Sequence, residues 1–572
     1  MTTEWICCIY VISMASLQAY QSHGRRYYRI VESFRENGRP RIRVVAHLGR
    51  VEDILRRHQQ ERIGLRVCSV SAGAVSALHH LADGLDIAGR IDRALAQAGG
   101  RLQKRDGLTV GQTLLAGIIG RVCAPRSKRA FAHWAKSTLL PELMGFSAAE
   151  LTSQHFWEQM HAVPVPLLAT IEQEIVGEVI RIEQLQVEGL AYDTTNFYTH
   201  IASTNLKPQL PQRGRNKQRR HDLRQLGLAL VVDQATQLPL AHILYEGARS
   251  DMRAFAAFLK PIRQRLRALL PQPQQLTLVF DTGVSSKENL ERLDPDQDRF
   301  VTAVRPSYHR GLLAEAVDHL SEVVLPNGAA VRAWRTRRTI AGQPRDTVVV
   351  FSQLLYDGQL RGLHQYMARC RRDLEEMSLE PRTTVEAAKR KLAKICGRQY
   401  LRSVMRYEVT KDGQGGTQLR VWSDLEEYRR LTTRYFGLRI LITDRSEWST
   451  GQIIAAYRGL SNVEAAFRNL KDPGMLATHP QFHWTDQKLH VHTFMCVTGY
   501  LLGRLLWWRA RREAGFSGSP RTLLSELAQI RACRIVDRTG QAGRPRVRRQ
   551  LEEMSDGLRN LGQVLGALPA LD

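Results

Sequence analysis

The chain has 572 residues, of which 82 are Lys or Arg and 56 are Asp or Glu, so its formal net charge is +26. Hydrophobic residues make up 43% and charged residues 24%, which excludes a disordered chain, a collagen and a pure coiled coil. The length predicts three or four domains. The charge predicts a polyanionic partner, with nucleic acid first and an anionic membrane surface second.

The cysteines and the N-terminal segment indicate the compartment. Apart from Cys7-Cys8 the eight cysteines are scattered, without a Cys-x-x-Cys pair, which favours a reducing cytoplasm over a disulfide framework or a Cys-rich zinc site. The apolar run 5–17 is too short to span a bilayer, and the basic residues of a signal peptide do not precede it. Met14 begins a more usual soluble start, so residues 1–13 are equally well interpreted as an extension from a misassigned start codon.

Residues 1–60 are predicted to form a basic β-hairpin unit, and residues 61–185 a mostly helical region. The strand-like segments 27–34 and 41–48 flank Asn37-Gly38, a strong hairpin signal because both residues tolerate positive φ. Apolar residues follow at helical spacing over 72–98 and 110–123.

Residues 186–309 are predicted to be rich in strands. The predicted elements, in order, are a strand at 190–197, a basic loop at 213–224, a hairpin of 226–232 and 239–245, a helix at 251–259, a strand at 276–280, a helix at 286–293 and a strand at 300–304. The short apolar run at 276–280, which ends at Asp281, suits a central strand that is buried on both faces.

Residues 310–436 are a mixed stretch. It has predicted strands at 347–351, 405–409 and 419–422, and helices at 359–377 and 385–395. Residues 437–515 are predicted to contain a strand at 438–442 and helices at 450–458, 461–471 and 488–514. Residues 516–572 are predicted to be a basic C-terminal tail with one helix.

This order of elements suits a multidomain α/β chain with a ribonuclease-H-like (retroviral-integrase-like) core. In that architecture an acid on the first strand lies beside an acid at the end of the fourth, and a late helix brings a third. Asp193 and Asp281 fit the first two places, and Glu464 fits the third. Three such carboxylates hold two divalent ions about 4 Å apart, and hard oxygen ligands select Mg²⁺ or Mn²⁺.

Each aspartate also has a structural interpretation. Asp193 fits an ordinary acid of a strand, and Asp281 precedes Thr282-Gly283 as a turn aspartate does. Two other acids at strand ends are predicted to lie outside the site. Asp233 falls inside the predicted hairpin turn, and Asp444 ends the strand before Arg445.

Glu464 has the strongest structural alternative. Ser461-x-x-Glu464 fits a capping box, and Glu464 with Arg468 fits an i,i+4 ion pair. On a helix, however, Glu464, Arg468 and Lys471 share one face beside an apolar face. An acid flanked by cations suits a metal site with a phosphate backbone across it.

Several motifs together resemble a bacterial insertion-sequence transposase of the DDE type, in the group with a large insertion before the glutamate. Tyr192-Asp193-Thr194-Thr195 resembles the first-acid motif, and Val279-Phe280-Asp281-Thr282-Gly283 the second. Residues 213–225 resemble the stretch leading into the second strand. Gly247-Ala248-Arg249-Ser250-Asp251 resembles the motif after the third strand, with Ala248 where Asn is usual.

The late helices resemble the Tyr–Arg–Glu–Lys signature of that group at its usual spacing. The matching residues are Tyr457, Glu464 and Lys471. Leu460 stands where the signature has its arginine. The residue that makes the usual arginine contact to DNA is therefore unassigned, and Arg458 and Arg468 are the candidates to replace it. The long interval between the second acid and the glutamate matches the inserted subdomain of the group. On this resemblance residues 310–436 are the inserted α+β subdomain, and 186–309 with 437–515 are the core.

The resemblance implies an enzyme that binds the terminal inverted repeats of an insertion sequence, cleaves the DNA there and transfers the 3′ ends to target DNA. It implies two Mg²⁺ or Mn²⁺ ions on Asp193, Asp281 and Glu464, and DNA binding or dimerisation by residues 61–185. The implied partners are double-stranded DNA and further copies of the chain, without a membrane, at the nucleoid of a bacterial cytoplasm. The side chains expected to contact DNA are Tyr457, Arg458, Arg468, Lys471, Arg213, Arg215, Lys217, Arg219 and Arg220.

Two other functions stay open. The first is a DNA-binding regulator or inactive transposase derivative that binds without cutting. The second is a ribonuclease-H-like nuclease without strand transfer. For the cations of the 213–224 loop, a solvated surface is the simpler alternative to phosphate contact.

Overall fold

The structure is a computed structural model that describes residues 15–36, 39–100, 104–214, 216, 220–270, 276–293, 298–378, 384–398, 400–411, 417–479, 481–537 and 546–570. Several predictions fall outside these residues. They concern residues 1–13, the turn Asn37-Gly38, the loop cations Arg215, Lys217 and Arg219, and residues 538–545 of the basic C-terminal tail.

The N-terminal part begins with a sheet and continues with helices. Its elements are β1 (Ala15–Ser22), β2 (Arg25–Glu36), β3 (Arg39–Gly49), α1 (Val51–Gly64), β4 (Leu65–Ser71), α2 (Gly73–Gly84), α3 (Ile87–Gln97), α4 (Val110–Cys123), α5 (Lys128–Ala135), α6 (Leu140–Met144), α7 (Ser153–His161) and α8 (Val165–Glu183). The predicted hairpin of β2 and β3 is confirmed by their antiparallel pairing, and β1 adds a third strand that was not predicted.

The middle part contains the predicted strands that carry the first two acids. Its elements are β5 (Gly189–Tyr198), β6 (Gln225–Asp233), β7 (Pro239–Glu246), α9 (Asp251–Leu269), β8 (Thr277–Phe280), α10 (Lys287–Glu291), β9 (Arg299–Val304), α11 (Arg310–His319), β10 (Ser321–Val324), β11 (Ala330–Ile340) and β12 (Gln343–Phe351). Helix α9 runs ten residues beyond its predicted end and contains Pro261, because its buried face continues to Leu266.

The last part alternates helices with short strands. Its elements are α12 (Gln353–Ser378), α13 (Val385–Ile395), α14 (Leu401–Val404), β13 (Met405–Lys411), β14 (Thr417–Ser423), α15 (Leu425–Arg434), β15 (Leu438–Thr443), α16 (Thr450–Arg458), α17 (Ser461–Lys471), α18 (Asp486–Ala514), α19 (Pro520–Leu527), β16 (Arg531–Asp537), β17 (Arg546–Leu551) and α20 (Asp556–Val564). No described helix is both long and apolar enough to cross a membrane.

The main sheet has the strand order β10-β11-β12-β15-β9-β8-β5-β6-β7. Strands β5, β8 and β9 run parallel, whereas β6 pairs antiparallel with both β5 and β7. Strands β10 to β12 continue this sheet beyond β15, so the first part of the stretch 310–436 is joined to the core by backbone hydrogen bonds. Residues of α12 to α15 and the β13–β14 hairpin form two small apolar clusters of their own.

The chain ends are joined in a second sheet. Strand β16 pairs antiparallel with β4 and with β17. Helix α18 is buried along most of its length and packs on α2, α4 and α8. One large apolar core therefore includes residues from 72 to 567. The chain is a multidomain α/β protein built around a mixed sheet.

Candidate active site and nucleic-acid interface

Asp193 and Asp281 are brought together by the pairing of β5 with β8. In this parallel pair Tyr192 is opposite Phe280, and each aspartate is the next residue along its chain. The rings of Tyr192 and Phe280 both contact Phe255 of α9, at 5.1 and 5.0 Å between centroids. Because side chains alternate along a strand, both aspartates face the side of the sheet opposite α9.

Helix α17 covers the sheet face on which Asp193 lies. Lys471 donates a hydrogen bond of 2.5 Å from Nζ to Thr195 Oγ1, and its ammonium is 5.4 Å from the ring of Phe197. Thr195 and Phe197 share a strand face with Asp193 because they follow it at intervals of two. The residues of α17 that are buried against the sheet are Val463, Ala466, Phe467 and Leu470.

Tyr457 at the end of α16 contacts the second aspartate directly. Its hydroxyl donates a hydrogen bond of 2.9 Å to Asp281 Oδ1. Burial and the adjacent Asp281 carboxylate raise the pKa of Tyr457, so the phenol stays protonated and remains a donor. The guanidinium of Arg439 on β15 lies 5.3 Å from the Tyr457 ring. The sequence analysis missed Arg439, whose only signal is a charge inside an apolar strand.

The cations predicted to replace the signature arginine lie in different surroundings. Leu460, in the Arg place, is buried. Arg458 lines an open groove of about 540 Å³ together with Tyr457 and Arg439. Arg468 is exposed one helix further along. Arg439 and Arg458 therefore lie beside Tyr457 in this groove.

Glu464 is exposed on α17, and its capping-box interpretation is wrong. Leu460 is the N-cap residue with helical backbone angles and without a side-chain cap, so Ser461 is already the first helical residue. Among the described residues, no ion pair joins Glu464 to Arg468. Glu464 thus has neither of the structural roles that its sequence context suggests.

The three predicted carboxylates do not assemble a complete metal site as the chain is arranged. Among the described residues, no three His, Cys, Asp or Glu side chains form a group that could hold a metal ion. The two aspartates fit Mg²⁺ or Mn²⁺ by their hard oxygen donors and shared face.

The corner between α16 and α17 is held by the turn that joins β6 to β7. Gln234 Nε2 donates to the carbonyl oxygen of Ala456 at 2.8 Å, and Asn462 Nδ2 donates to that of Gln234 at 2.7 Å. Gln237 Nε2 donates to Asn462 Oδ1 at 2.9 Å. This turn therefore positions the helix of Glu464 over the sheet, a role that the sequence analysis did not anticipate.

Asp233 and Asp444 have the structural surroundings that were predicted for them. Asp233 Oδ2 accepts hydrogen bonds from Thr236 N at 2.8 Å and Thr236 Oγ1 at 2.6 Å inside the β6–β7 turn. Asp444 Oδ1 accepts one of 2.9 Å from Phe300 N, and Arg299 is 3.8 Å away. Burial raises the pKa of both carboxyls.

The described cations of the 213–224 loop differ in how far they are engaged within the chain. Arg220 donates two bonds of 2.8 Å to Asp222, and Arg213 donates one of 3.4 Å to Ser203 Oγ. Arg224 donates to backbone carbonyl oxygens, including that of Asn205 at 3.1 Å. Arg224 is thus a structural residue of this loop.

One face of the N-terminal sheet combines aromatic rings with cations. The rings of Tyr20 and Tyr27 stack at 5.7 Å, and His47 lies 6.2 Å from Tyr20. Arg29 lies 5.0 Å from the Tyr20 ring, and Arg50 lies 5.8 Å from the Tyr27 ring. Such a face presents both stacking surfaces and positive charge to a partner.

Comparison with known proteins gives one family match. Residues 18–71 match the family model described as "IS1634 family transposase, N-terminal domain". No curated protein is significantly similar to the chain.

Among solved structures, the chain is similar to the "Cryo-EM structure of piggyBac transposase synaptic complex with hairpin DNA (SNHP)". The identity is 10%, with 78% of this chain and 77% of that one covered, and the TM-score is 0.36. A TM-score of 0.36 is below the level at which two chains share a fold, so no conclusion rests on this likeness. The N-terminal match concerns residues 18–71 alone, which are similar to the N-terminal domain of an insertion-sequence transposase family.

Proposed function

We propose that the chain is a DDE transposase that cleaves the ends of an insertion sequence and joins them to target DNA at Asp193, Asp281 and Glu464. The observation that carries the proposal is the register that pairs Tyr192 of β5 with Phe280 of β8, so that the next residues, Asp193 and Asp281, are neighbours at the end of this parallel pair. The order β7-β6-β5-β8-β9, with only β6 antiparallel to its neighbours, is typical of ribonuclease-H-like cores and supports it.

The residues around the aspartates have separable roles in this proposal. Two Mg²⁺ or Mn²⁺ ions, when bound, would activate the attacking oxygen and stabilise the leaving oxygen. Asp193 and Asp281 are the donors on the sheet, and Tyr457 fixes the orientation of the Asp281 carboxylate. Lys471 anchors α17 on the strand of Asp193. We further propose that Glu464 joins Asp193 and Asp281 as the third metal-binding carboxylate when DNA is bound.

DNA binding is assigned to two regions. The cation and tyrosine face of β1 to β3 lies within the matched N-terminal segment and is proposed to recognise the ends. Arg213 and Arg220, with Arg215, Lys217 and Arg219, are proposed to contact phosphates near the site, as are Arg458, Arg468 and Lys471. We propose that more than one copy of the chain binds the two ends, and we expect this assembly to form at the nucleoid in the cytoplasm.

The experiment that tests the function uses DNA from the flanks of the gene itself, where the ends should lie. The chain is incubated with this DNA and a target plasmid, in Mg²⁺ or in EDTA, and the products are sequenced. Metal-dependent nicks at the ends with joining to the plasmid support the proposal. Nicks without joining of pre-cleaved ends would indicate a nuclease, and binding without nicks a regulator.

A further inference from the structure

A group of exposed aromatic side chains lies just beyond the end of β5. We call it the aromatic ledge, and its members are His200, Phe482 and Trp484. The exposed fraction is 69% for Phe482 and 42% for Trp484. Clustered exposed apolar side chains of this kind mark a contact surface more often than isolated ones.

The ledge is built on the same strand as Asp193. Beyond β5, Thr199 pairs with Gln481, whose N–H donates to the carbonyl oxygen of Tyr198 at 3.0 Å. Gln481 is buried, and alternation in this extended segment turns Phe482 outward. The loop on the other side is fixed as well, because Asp486 accepts hydrogen bonds from Gln209 N at 2.9 Å. The ledge is therefore a preformed surface.

The rings of the ledge differ in what covers them. Phe482 stacks on His200 with 5.8 Å between centroids and 20° between planes, so one of its faces is covered and the other is open to solvent. Trp484 stacks on Trp157 at 5.1 Å and also has Lys207 5.1 Å from its ring. Phe482 is therefore the member with a free ring face.

The charge around the ledge favours nucleic acid as its occupant. Lys207 is part of the surface, and Arg213 lies on the same loop, where it reaches Ser203. A platform of open aromatic rings beside cations is how proteins bind unstacked bases, because every base has a π face and every nucleotide a phosphate.

We propose that the aromatic ledge is a base-stacking site for DNA, in which the free face of Phe482 holds an unpaired base and Lys207 contacts the adjoining phosphate. The inference rests on the proposed function, which makes DNA the substrate. His200 is seven residues from Asp193, or about 23 Å along an extended chain.

The test measures binding of the full chain in EDTA to two labelled duplexes of the same sequence, one fully paired and one with a central bubble of mismatched pairs. We expect the wild-type chain to prefer the bubble. Stacking of one base is worth roughly 1–3 kcal/mol, so Phe482→Ala should weaken bubble binding about fivefold or more. Binding of the paired duplex should change much less, and Phe482→Trp should restore the preference.

The matched control is Tyr366→Ala, which removes a ring that is 39% exposed and has Arg398 at 4.9 Å. It should leave both affinities unchanged. Equal losses on both duplexes, or unchanged bubble binding by Phe482→Ala, would overturn the proposal. So would a Phe482→Ala chain that only loses self-association. This binding test measures no cleavage, so it is independent of the catalytic proposal. If the chain cuts DNA but Phe482→Ala does not weaken bubble binding, only the base-stacking proposal is refuted. If Phe482→Ala weakens bubble binding but the wild-type chain never cuts DNA, only the catalytic proposal is refuted.

Discussion

The hydroxyl of Tyr457 donates a hydrogen bond of 2.9 Å to the carboxylate of Asp281, and so ties helix α16 to the end of strand β8. Tyr457→Phe removes this bond and leaves the ring in place. A hydrogen bond to a charged group is worth roughly 1.5–3 kcal/mol, so we expect the rate of DNA cleavage to fall about ten- to a hundredfold. Single-turnover cleavage of end DNA measures the effect.

Tyr366→Phe is the control for this prediction, since it removes a hydroxyl from a half-exposed tyrosine of α12. The control should cleave at the wild-type rate, and both variants should bind DNA normally. Wild-type cleavage by Tyr457→Phe would mean that the Asp281 carboxylate is oriented without Tyr457.

Asn462 and Ser461 are neighbours at the start of α17 with opposite expected sensitivities. Asn462→Ala loses the bonds to Gln234 and Gln237, which should lower the free energy of unfolding by about 1–3 kcal/mol. It should also slow cleavage, because Glu464 follows two residues later. Ser461→Ala should change neither, because Ser461 is not the N-cap residue.

Thermal unfolding and cleavage of both variants check this pair. If Ser461→Ala lowered the free energy of unfolding by about 1 kcal/mol, as the loss of a capping serine does, Ser461 would be the N-cap residue. That result would contradict the described start of α17.

The amine of Lys128 on α5 predicts a pH dependence of stability. Burial, with Arg121 nearby, lowers the pKa of Lys128 to about 7, and its Nζ is 3.0 Å from His483 Nε2. The pKa of an unfolded lysine is about 10.4, so between pH 7 and 10.4 the unfolded chain binds more protons. Stability should therefore rise with pH across this window, and be lost as the pH falls toward 7.

Lys128→Met should flatten the rise. The slope of the free energy of unfolding against pH should fall by at most about 1.4 kcal/mol per pH unit. The actual change should be smaller because the side chain is partly exposed. Thermal unfolding between pH 7 and 10 is the measurement, with the exposed Lys136→Met as its control. Equal slopes for Lys128→Met and the wild-type chain would show that the amine is charged in the folded state.

The cations of the 213–224 loop predict the salt dependence of DNA binding. Replacing Arg213, Lys217 and Arg219 by Gln should flatten the log–log slope by roughly 0.9 for each lost phosphate contact. Arg224 is left unchanged because it holds backbone carbonyls of the loop. Arg181→Gln on α8, which is exposed and paired with Glu178, is the control and should keep the slope. An unchanged slope in the triple variant would mean that these cations lie on a solvated surface and do not contact DNA phosphates.

Local patterns predicted the strands and helices around the site well. Strand β8 is a short apolar run between polar segments, and β5 with the β6–β7 hairpin has clear turn signals. Spacing along these elements was enough to select Asp193 and Asp281, because the parallel pairing of the two strands follows from the fold class alone.

Long-range pairing was beyond the reach of such patterns. Strand β4 is completed by β16, more than four hundred residues later, and neither has a strong alternating pattern. The three strands β10, β11 and β12 likewise join the main sheet through β15, a partner that is remote in sequence.

Within the site, sequence spacing missed the residues that position the others. Arg439 reaches the Tyr457 ring only because β15 lies beside β9. Gln234 and Asn462 meet because a hairpin turn packs against a helix corner. Gly459 and Leu460 both have helical backbone angles, so the chain is already helical before Ser461. The capping box predicted at Ser461 is wrong for this reason.

The catalytic role of the three acids is tested by cleavage of end DNA in Mg²⁺ with the variants Asp193→Asn, Asp281→Asn and Glu464→Gln, with DNA binding measured in EDTA. Each change removes one carboxylate charge. We predict that each of these variants loses cleavage and keeps DNA binding. Asp233→Asn and Asp444→Asn, whose carboxylates accept hydrogen bonds in a turn and at a strand end, should still cleave. Near-normal cleavage by Asp193→Asn or Asp281→Asn would contradict the central claim that these paired aspartates form the catalytic site.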